Sequence, residues 1–183
     1  MAMGQAMEQA RGILLRRYRF SENSLVVVWF TDLHGKVKTA VRGATKPGGS
    51  FAGRLELFSE SEIAFKVSTG ELHALKEVVP VTATPMPGDY DTLLAAAYFC
   101  ELCDLCTEPM HPVPELHGLL VRAWGFLRKE RPTRRAVEHF EQEMARILGI
   151  LEPSVPARHS LAGLMRKLPE SRQRLLERLS ETP

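Results

Sequence analysis

Cysteine is scarce in this chain of 183 residues. Its three cysteines, Cys100, Cys103 and Cys106, sit within seven positions of one another. An odd number packed so closely does not make a disulfide framework. Long hydrophobic runs are missing as well: no stretch approaches the roughly 18 apolar residues of a membrane span. The N-terminal MAMGQAMEQARG lacks the apolar centre of a signal peptide, so the expected location is cytoplasmic. There are no internal repeats, and none of the six histidines stands in a zinc-protease or nucleophile-elbow motif. No catalytic set is found. What remains, 44% hydrophobic and 25% charged residues, is ordinary for a globular protein with a real core.

The stretch that organises the rest is SENSLVVVWFTDLHGKVKTAVRG, residues 21–43. Residues 25–31 are almost continuously apolar and rich in β-branched and aromatic side chains, which suits a strand buried on both faces. Asp32-Leu33-His34-Gly35 supplies turn chemistry, with Gly35 able to take positive φ. A second strand then alternates, with Val37, Thr39 and Val41 on one side and Lys36, Lys38 and Arg42 on the other. One face goes to a core and the other carries a row of cations.

Net charge is only +2, but it is unevenly placed. Between residues 11 and 54, nine cations (Arg11, Arg16, Arg17, Arg19, Lys36, Lys38, Arg42, Lys46, Arg54) face only Glu22 and Asp32, a local balance of +7. Such an excess over successive strands is what a polyanion-binding surface needs, although a solvated face carries similar runs.

Around the hairpin, residues 12–20 (GILLRRYRF) form a first strand with basic and aromatic residues mixed, and residues 44–53 a loop. Residues 54–58, 62–68 and 72–79 read as further strands, with Ile63, Phe65 and Val67 turned inward. Five or six short strands in about 70 residues argue for a small barrel or sandwich. PVTATPMPGDY then marks a linker or crossing segment, after which every periodic segment is helical. Residues 91–107 are apolar nearly all round, with a polar stripe at Glu101, Asp104 and Glu108, as for the most buried helix. Helices follow from Pro114, from 133 to 148 with Thr133 as N-cap and Gly149 as stop, and over 161–168 and 170–179. Trp124 and Phe126 read as core residues.

Two constellations invite site readings. Cys100, Cys103 and Cys106, followed by His111, suggest a metal. On a helix, however, positions 100 and 106 lie about 9 Å apart along the axis, whereas two thiolates on one zinc are at most about 4.6 Å apart. No metal and no cofactor are expected. GATKPGGS, residues 43–50, looks like a phosphate loop, but Gly49 occupies the place of the lysine.

As an ordered set, the residues resemble a known family. ILLRRYRFSENSLVVVWFTDLHGKVKTAVRGATKPGGS, RLELF and GELHALKEV are similar to the N-terminal domain of RecO, a bacterial recombination mediator family. The likeness rests on the apolar first strand, Glu22 before the second, Thr31 followed by His34-Gly35, and the Arg42-Gly43-Ala44 strand end. AAAYFCELCDLCTEP and VEHFEQEMARILGI are similar to helices of the family's second domain. The resemblance covers roughly residues 12–150. It implies an α+β protein, with an OB-fold β-barrel as a nucleic-acid-binding domain over residues 1–80 and an all-α helical domain over 81–183. It further implies a non-enzymatic, nucleoid-associated protein of DNA repair that binds single- and double-stranded DNA. Such a protein anneals strands, helps load recombinase onto protein-coated single strands, and partners RecR and single-strand-binding protein. The four-Cys zinc ribbon of many members is not carried over, because no cysteine follows Gly149. The alternative is a protein-interaction scaffold whose barrel binds no nucleic acid.

The expected DNA-binding residues are Arg16, Arg17, Arg19, Lys36, Lys38, Arg42, Lys46 and Arg54, since OB-folds bind single strands with a basic groove and aromatic stacking surfaces. For the acidic, Phe-ending tail of single-strand-binding protein, the expected residues are Arg128, Lys129, Arg131, Arg134 and Arg135, around the junction of two amphipathic helices. The bland reading of that cluster is a solvated helix corner. Arg134 and Arg135 also oppose the positive end of their own helix dipole, a cost that a bound carboxylate relieves.

Overall fold

Five strands are built where alternation and β-branching call for them: β1 (Met7–Ser21), β2 (Ser24–Thr31), β3 (Gly35–Arg42), β4 (Glu60–Lys66) and β5 (Leu72–Pro80). The computed structural model describes residues 6–81 and 86–181. The expected linker therefore lies partly outside the described residues, at 82–85, as do the first five residues of the chain. The chain divides into two compact units, residues 1–85 with 107–117, and residues 86–106 with 118–183.

In the first unit the strands close into a barrel in the order β1-β2-β3-β5-β4, with β4 pairing back onto β1. Every pairing is antiparallel except β3 with β5, where Lys38, Thr39 and Ala40 stand opposite Leu72, His73 and Ala74. This five-stranded closed order is that of an OB-fold. Leu14, Val27, Trp29, Val37, Val41, Ile63, Phe65, Leu75 and Val78 fill the interior. The buried Trp29 Nε1–H donates to Thr39 Oγ1 at 3.0 Å, so the ring's polar edge is satisfied inside the core. The alternation expected in β3 is present, with Val37, Thr39 and Val41 all fully buried. On β2 both sets are buried, the outward Val26, Val28 and Phe30 as fully as the inward Val27 and Trp29. On β4 Ala64 is buried along with the inward Ile63 and Phe65, and opposite it β5 carries a bulge at Lys76, between the partners Glu77 and Leu75.

Residues 54–58 are not a strand. A chain of turns runs through the loop instead, with Lys46 N, Gly49 N, Ala52 N and Arg54 N each donating to the carbonyl three residues earlier. Glycines at 48, 49 and 53 favour this over an extended run. Leu55 and Phe58 anchor the loop as buried apolar plugs.

The Pro-rich segment at Thr107–His117 belongs with the barrel. Met110 N donates to Lys36 O at 2.9 Å, and Pro109 bridges Lys36 in parallel. Gly35 sits beneath it at φ 64°, where a Cβ would lie 1.9 Å from the His111 carbonyl oxygen. Thr31 Oγ1 closes the turn, donating to Gly35 O and accepting from His34 N.

The helices are α1 (Tyr90–Cys106), α2 (Pro114–Leu127), α3 (Arg134–Ile147), α4 (Ala157–Met165) and α5 (Glu170–Glu181). α1 runs unbroken through all three cysteines, and burial pushes the thiols of Cys100 and Cys103 well up. Asp89 caps α1 by accepting from Thr92 N. That bond is the main cause holding its carboxyl below the usual range, and the Arg131 charge adds to it. Thr133 caps α3 by accepting from Ala136 N at 3.1 Å. Gly149 follows α3 at φ 70°, as the expected stop. Within the second unit Phe99 and Phe140 stack at 3.9 Å. The buried Glu141 accepts from Tyr98 Oη at 2.7 Å and from Arg172 Nε and Nη2 at 2.6 and 3.1 Å, tying α1, α3 and α5 together. Trp124 is core as expected, but Phe126 is more than one-third exposed. It stands two positions from Trp124, which turns it about 200° round the helix.

Candidate nucleic-acid interface and partner groove

β1 outlasts its neighbour. β4 pairs with it only from Met7 to Ile13, and the loop at Phe58 and Ser59 bonds Leu14. From Arg16 to Ser21 β1 pairs with β2, through bulges between Leu14 and Arg16 and between Arg19 and Ser21. The bulges divide this basic end into two sets. Arg16 and Tyr18 stand opposite the outward Val28 and Val26, with the Arg16 guanidinium 5.4 Å from the centre of the Tyr18 ring. Arg17 and Arg19 stand opposite Val27 and Leu25, and both line a cleft of about 530 Å³ together with Tyr18, Thr45, Phe51 and Glu56. Arg17 is held there by donating to the Leu55 carbonyl.

The β3–β4 loop joins this end. Thr45 Oγ1 lies 3.3 Å from Glu22 O and 3.5 Å from Asn23 Oδ1, which brings Lys46 to the β1–β2 turn. Arg42 is nearby, directly opposite Ser24. The structure thus gathers Arg16, Arg17, Arg19, Arg42 and Lys46 at one end of the barrel. Lys38 shares a cross-strand row with Val28 and Arg16 but is partly buried and paired with Glu71 at 3.5 Å. Lys36 lies at the opposite end of β3, beside Pro109. Arg54 turns toward β5, 3.4 Å from the Val78 carbonyl. Tyr18 and Phe20, both exposed, were legible only as aromatics within a basic strand; the bulge at Phe20 has no signal in the sequence.

In the second unit, α2 and α3 enclose a groove of about 550 Å³. Phe99, Leu119, Leu127 and Phe140 give it an apolar floor, and Arg122, Arg135, His139 and Phe126 form its rim. Of the five cations expected around this junction, Arg135 alone lines the groove. Arg134 points elsewhere, toward Glu138 at 3.9 Å and Ser180 at 3.5 Å. Arg128 is half-buried, and Lys129 and Arg131 are exposed on the connecting turn. Sequence reasoning missed Arg122 and His139. Their signal was helical spacing, Arg122 to Phe126 and Arg135 to His139 each being i, i+4.

Comparison with known proteins agrees with this architecture. A family model described as "Recombination protein O N terminal" matches residues 3–84, and "Recombination protein O C terminal" matches 87–151. Among curated relatives, a "DNA repair protein RecO" of Pelobacter propionicus is 28% identical over 151 residues, 82% of this chain and 61% of that protein. The protein of the same name from Listeria monocytogenes is 27% identical over 79% of this chain and 56% of its own length. That of Xanthomonas euvesicatoria is 32% identical over 78% and 59%. The chain spans about three-fifths of the length of these relatives. Matched in both its barrel and its helices, the chain belongs to the RecO family.

Proposed function

We propose that this chain is a non-enzymatic, cytoplasmic and nucleoid-associated DNA-binding protein of recombinational repair. In this reading it holds single- and double-stranded DNA on its barrel, anneals strands, and helps load recombinase with RecR and single-strand-binding protein as partners. The observation that carries it is the cluster of Arg16, Arg17, Arg19, Arg42 and Lys46 at one barrel end, where Glu22 and Glu56 are the nearby acids. Five cations in reach of one backbone suit a phosphate chain better than a neutral ligand.

Titration of oligonucleotides by fluorescence anisotropy at several salt concentrations tests this. If about five phosphates are contacted, log K against log[salt] should fall with a slope near −3.5 for single strands. Arg19→Glu with Arg42→Glu should weaken binding to all sequences alike and flatten that slope, while Lys36→Glu, at the far end of β3, should change it least. No measurable binding by the intact chain would leave the scaffold reading in its place.

The α2–α3 groove is the proposed dock for the tail of single-strand-binding protein. An acidic peptide ending in an aromatic residue needs an apolar recess for its ring and cations for its carboxylates. Phe99, Leu119 and Phe140 supply the first, and Arg122 and Arg135 the second.

A further inference from the structure

We infer that the outer end of β1 is selective for single strands, with Tyr18 and Phe20 stacking on unpaired bases while Arg16, Arg17 and Arg19 hold the phosphates between them. This rests on the DNA-binding reading above and assigns the single-strand activity to one place in the barrel.

The first observation is exposure without cover. Phe20 is 63% exposed, the highest among the large apolar side chains of the described residues, and Tyr18 is 41% exposed. Aromatic surface of this size normally goes to a core or an interface. The bulge between Arg19 and Ser21 leaves Phe20 with no residue opposite it on β2. The second observation is alternation. The segment reads Arg16-Arg17-Tyr18-Arg19-Phe20, so each ring has a cation on its N-terminal side. Arg16 already lies over one face of Tyr18, which leaves the other for a base.

Accessibility supplies the third argument. Bases in a duplex are already stacked on each other and present only their edges, so they gain nothing from these rings. Charge favours a nucleic acid over a protein partner: Arg17 and Arg19 line one cleft with Tyr18 and Glu56, and Arg42 stands opposite Ser24 at the same end of the strands.

The test compares affinities of the full chain for an oligothymidylate and for a duplex of equal length. Tyr18→Ala and Phe20→Ala should each weaken single-strand binding about fivefold or more, the low end for a base–aromatic stack, and leave duplex binding within about twofold. Phe20→Trp should retain single-strand affinity. Its new indole should be quenched by the oligothymidylate and not by the duplex, against a constant background from the buried Trp29 and Trp124. Equal losses for both DNA forms, or wild-type single-strand affinity in the alanine variants, would overturn the inference. If the alanine variants behave as wild type while Arg17→Glu/Arg19→Glu loses both forms, this inference fails and the DNA-binding reading stands. Absence of any DNA binding by the wild type sinks both, and binding of a protein at these rings instead would identify them as a partner surface.

Discussion

Gly35 has two reasons to be glycine, and they can be separated. Its φ of 64° lies in the left-handed region, and a Cβ there would also strike the His111 carbonyl at 1.9 Å. Gly48 has a similar φ of 71° with nothing within 4 Å of its Cβ position. Gly48→Ala should therefore cost only the conformational term, about 1 kcal/mol. Gly35→Ala should cost at least about 2 kcal/mol more, because backbone must move. Urea midpoints of the two variants check the difference. Two buried histidines give the barrel unit a pH dependence. His73 is lowered from its ordinary value, by burial first and by the His34 charge second. His117 is lowered by burial, which outweighs the opposite pull of Asp32 and Glu60. In both cases the fold favours the neutral ring, so the associated stability is complete above about pH 6.5, the unfolded value. It is lost as pH falls from there through the lowered folded values. Wild type should unfold at less urea at pH 5.5 than at 7.5, and His73→Gln/His117→Gln should reduce that difference.

At the scale of elements, three helices meet on one carboxylate. Glu141 of α3 is 2% exposed and is held by Tyr98 of α1 and Arg172 of α5. The same contacts raise the Tyr98 hydroxyl, by burial first and the Glu141 charge second, and raise Arg172. Arg172→Met strands a buried anion and should cost about 3–5 kcal/mol. Tyr98→Phe, which removes one hydrogen bond to a charged group, should cost about 1.5–3 kcal/mol. The double change Glu141→Leu/Arg172→Met should recover part of the first loss, since the desolvated charge is gone. A sequence reader sees Glu141 as one of several glutamates on a polar stretch of helix. Its burial comes with packing against Tyr98 of α1, 43 residues earlier, and Arg172 of α5, 31 residues later.

For the molecule as a whole, the two proposed sites should titrate separately. Arg122→Glu or Arg135→Glu should abolish binding of a fluorescent acidic peptide ending in phenylalanine while oligonucleotide binding persists, and Arg19→Glu/Arg42→Glu should do the reverse. Loss of both activities in either variant would show that they share a surface. Peptide binding should also weaken with added salt, as expected for carboxylates held by guanidinium groups at a partly open rim.

Local chemistry decided the elements of this protein. A β-branched run with period-two alternation, a turn ending in glycine, Thr133 before an amphipathic stretch and Pro114 at a first turn are preferences of adjacent residues, and they survive in the fold because nothing distant opposes them. The order of the family's motifs was legible for the same reason. Tertiary structure decided which residues meet. The return of residues 107–117 to β3, the turns that replaced a strand at 54–58, and the gathering of Arg17, Arg19, Arg42 and Lys46 while Lys36 and Arg54 point away all depend on barrel closure. Closure sets register between strands far apart in sequence, and register, not the count of charges, determines which cations share an end. The groove rim shows the same limit. Arg135 faces Arg122 and His139 rather than the neighbouring Arg134, because the helical phase of α3 against α2 turns adjacent residues about 100° apart.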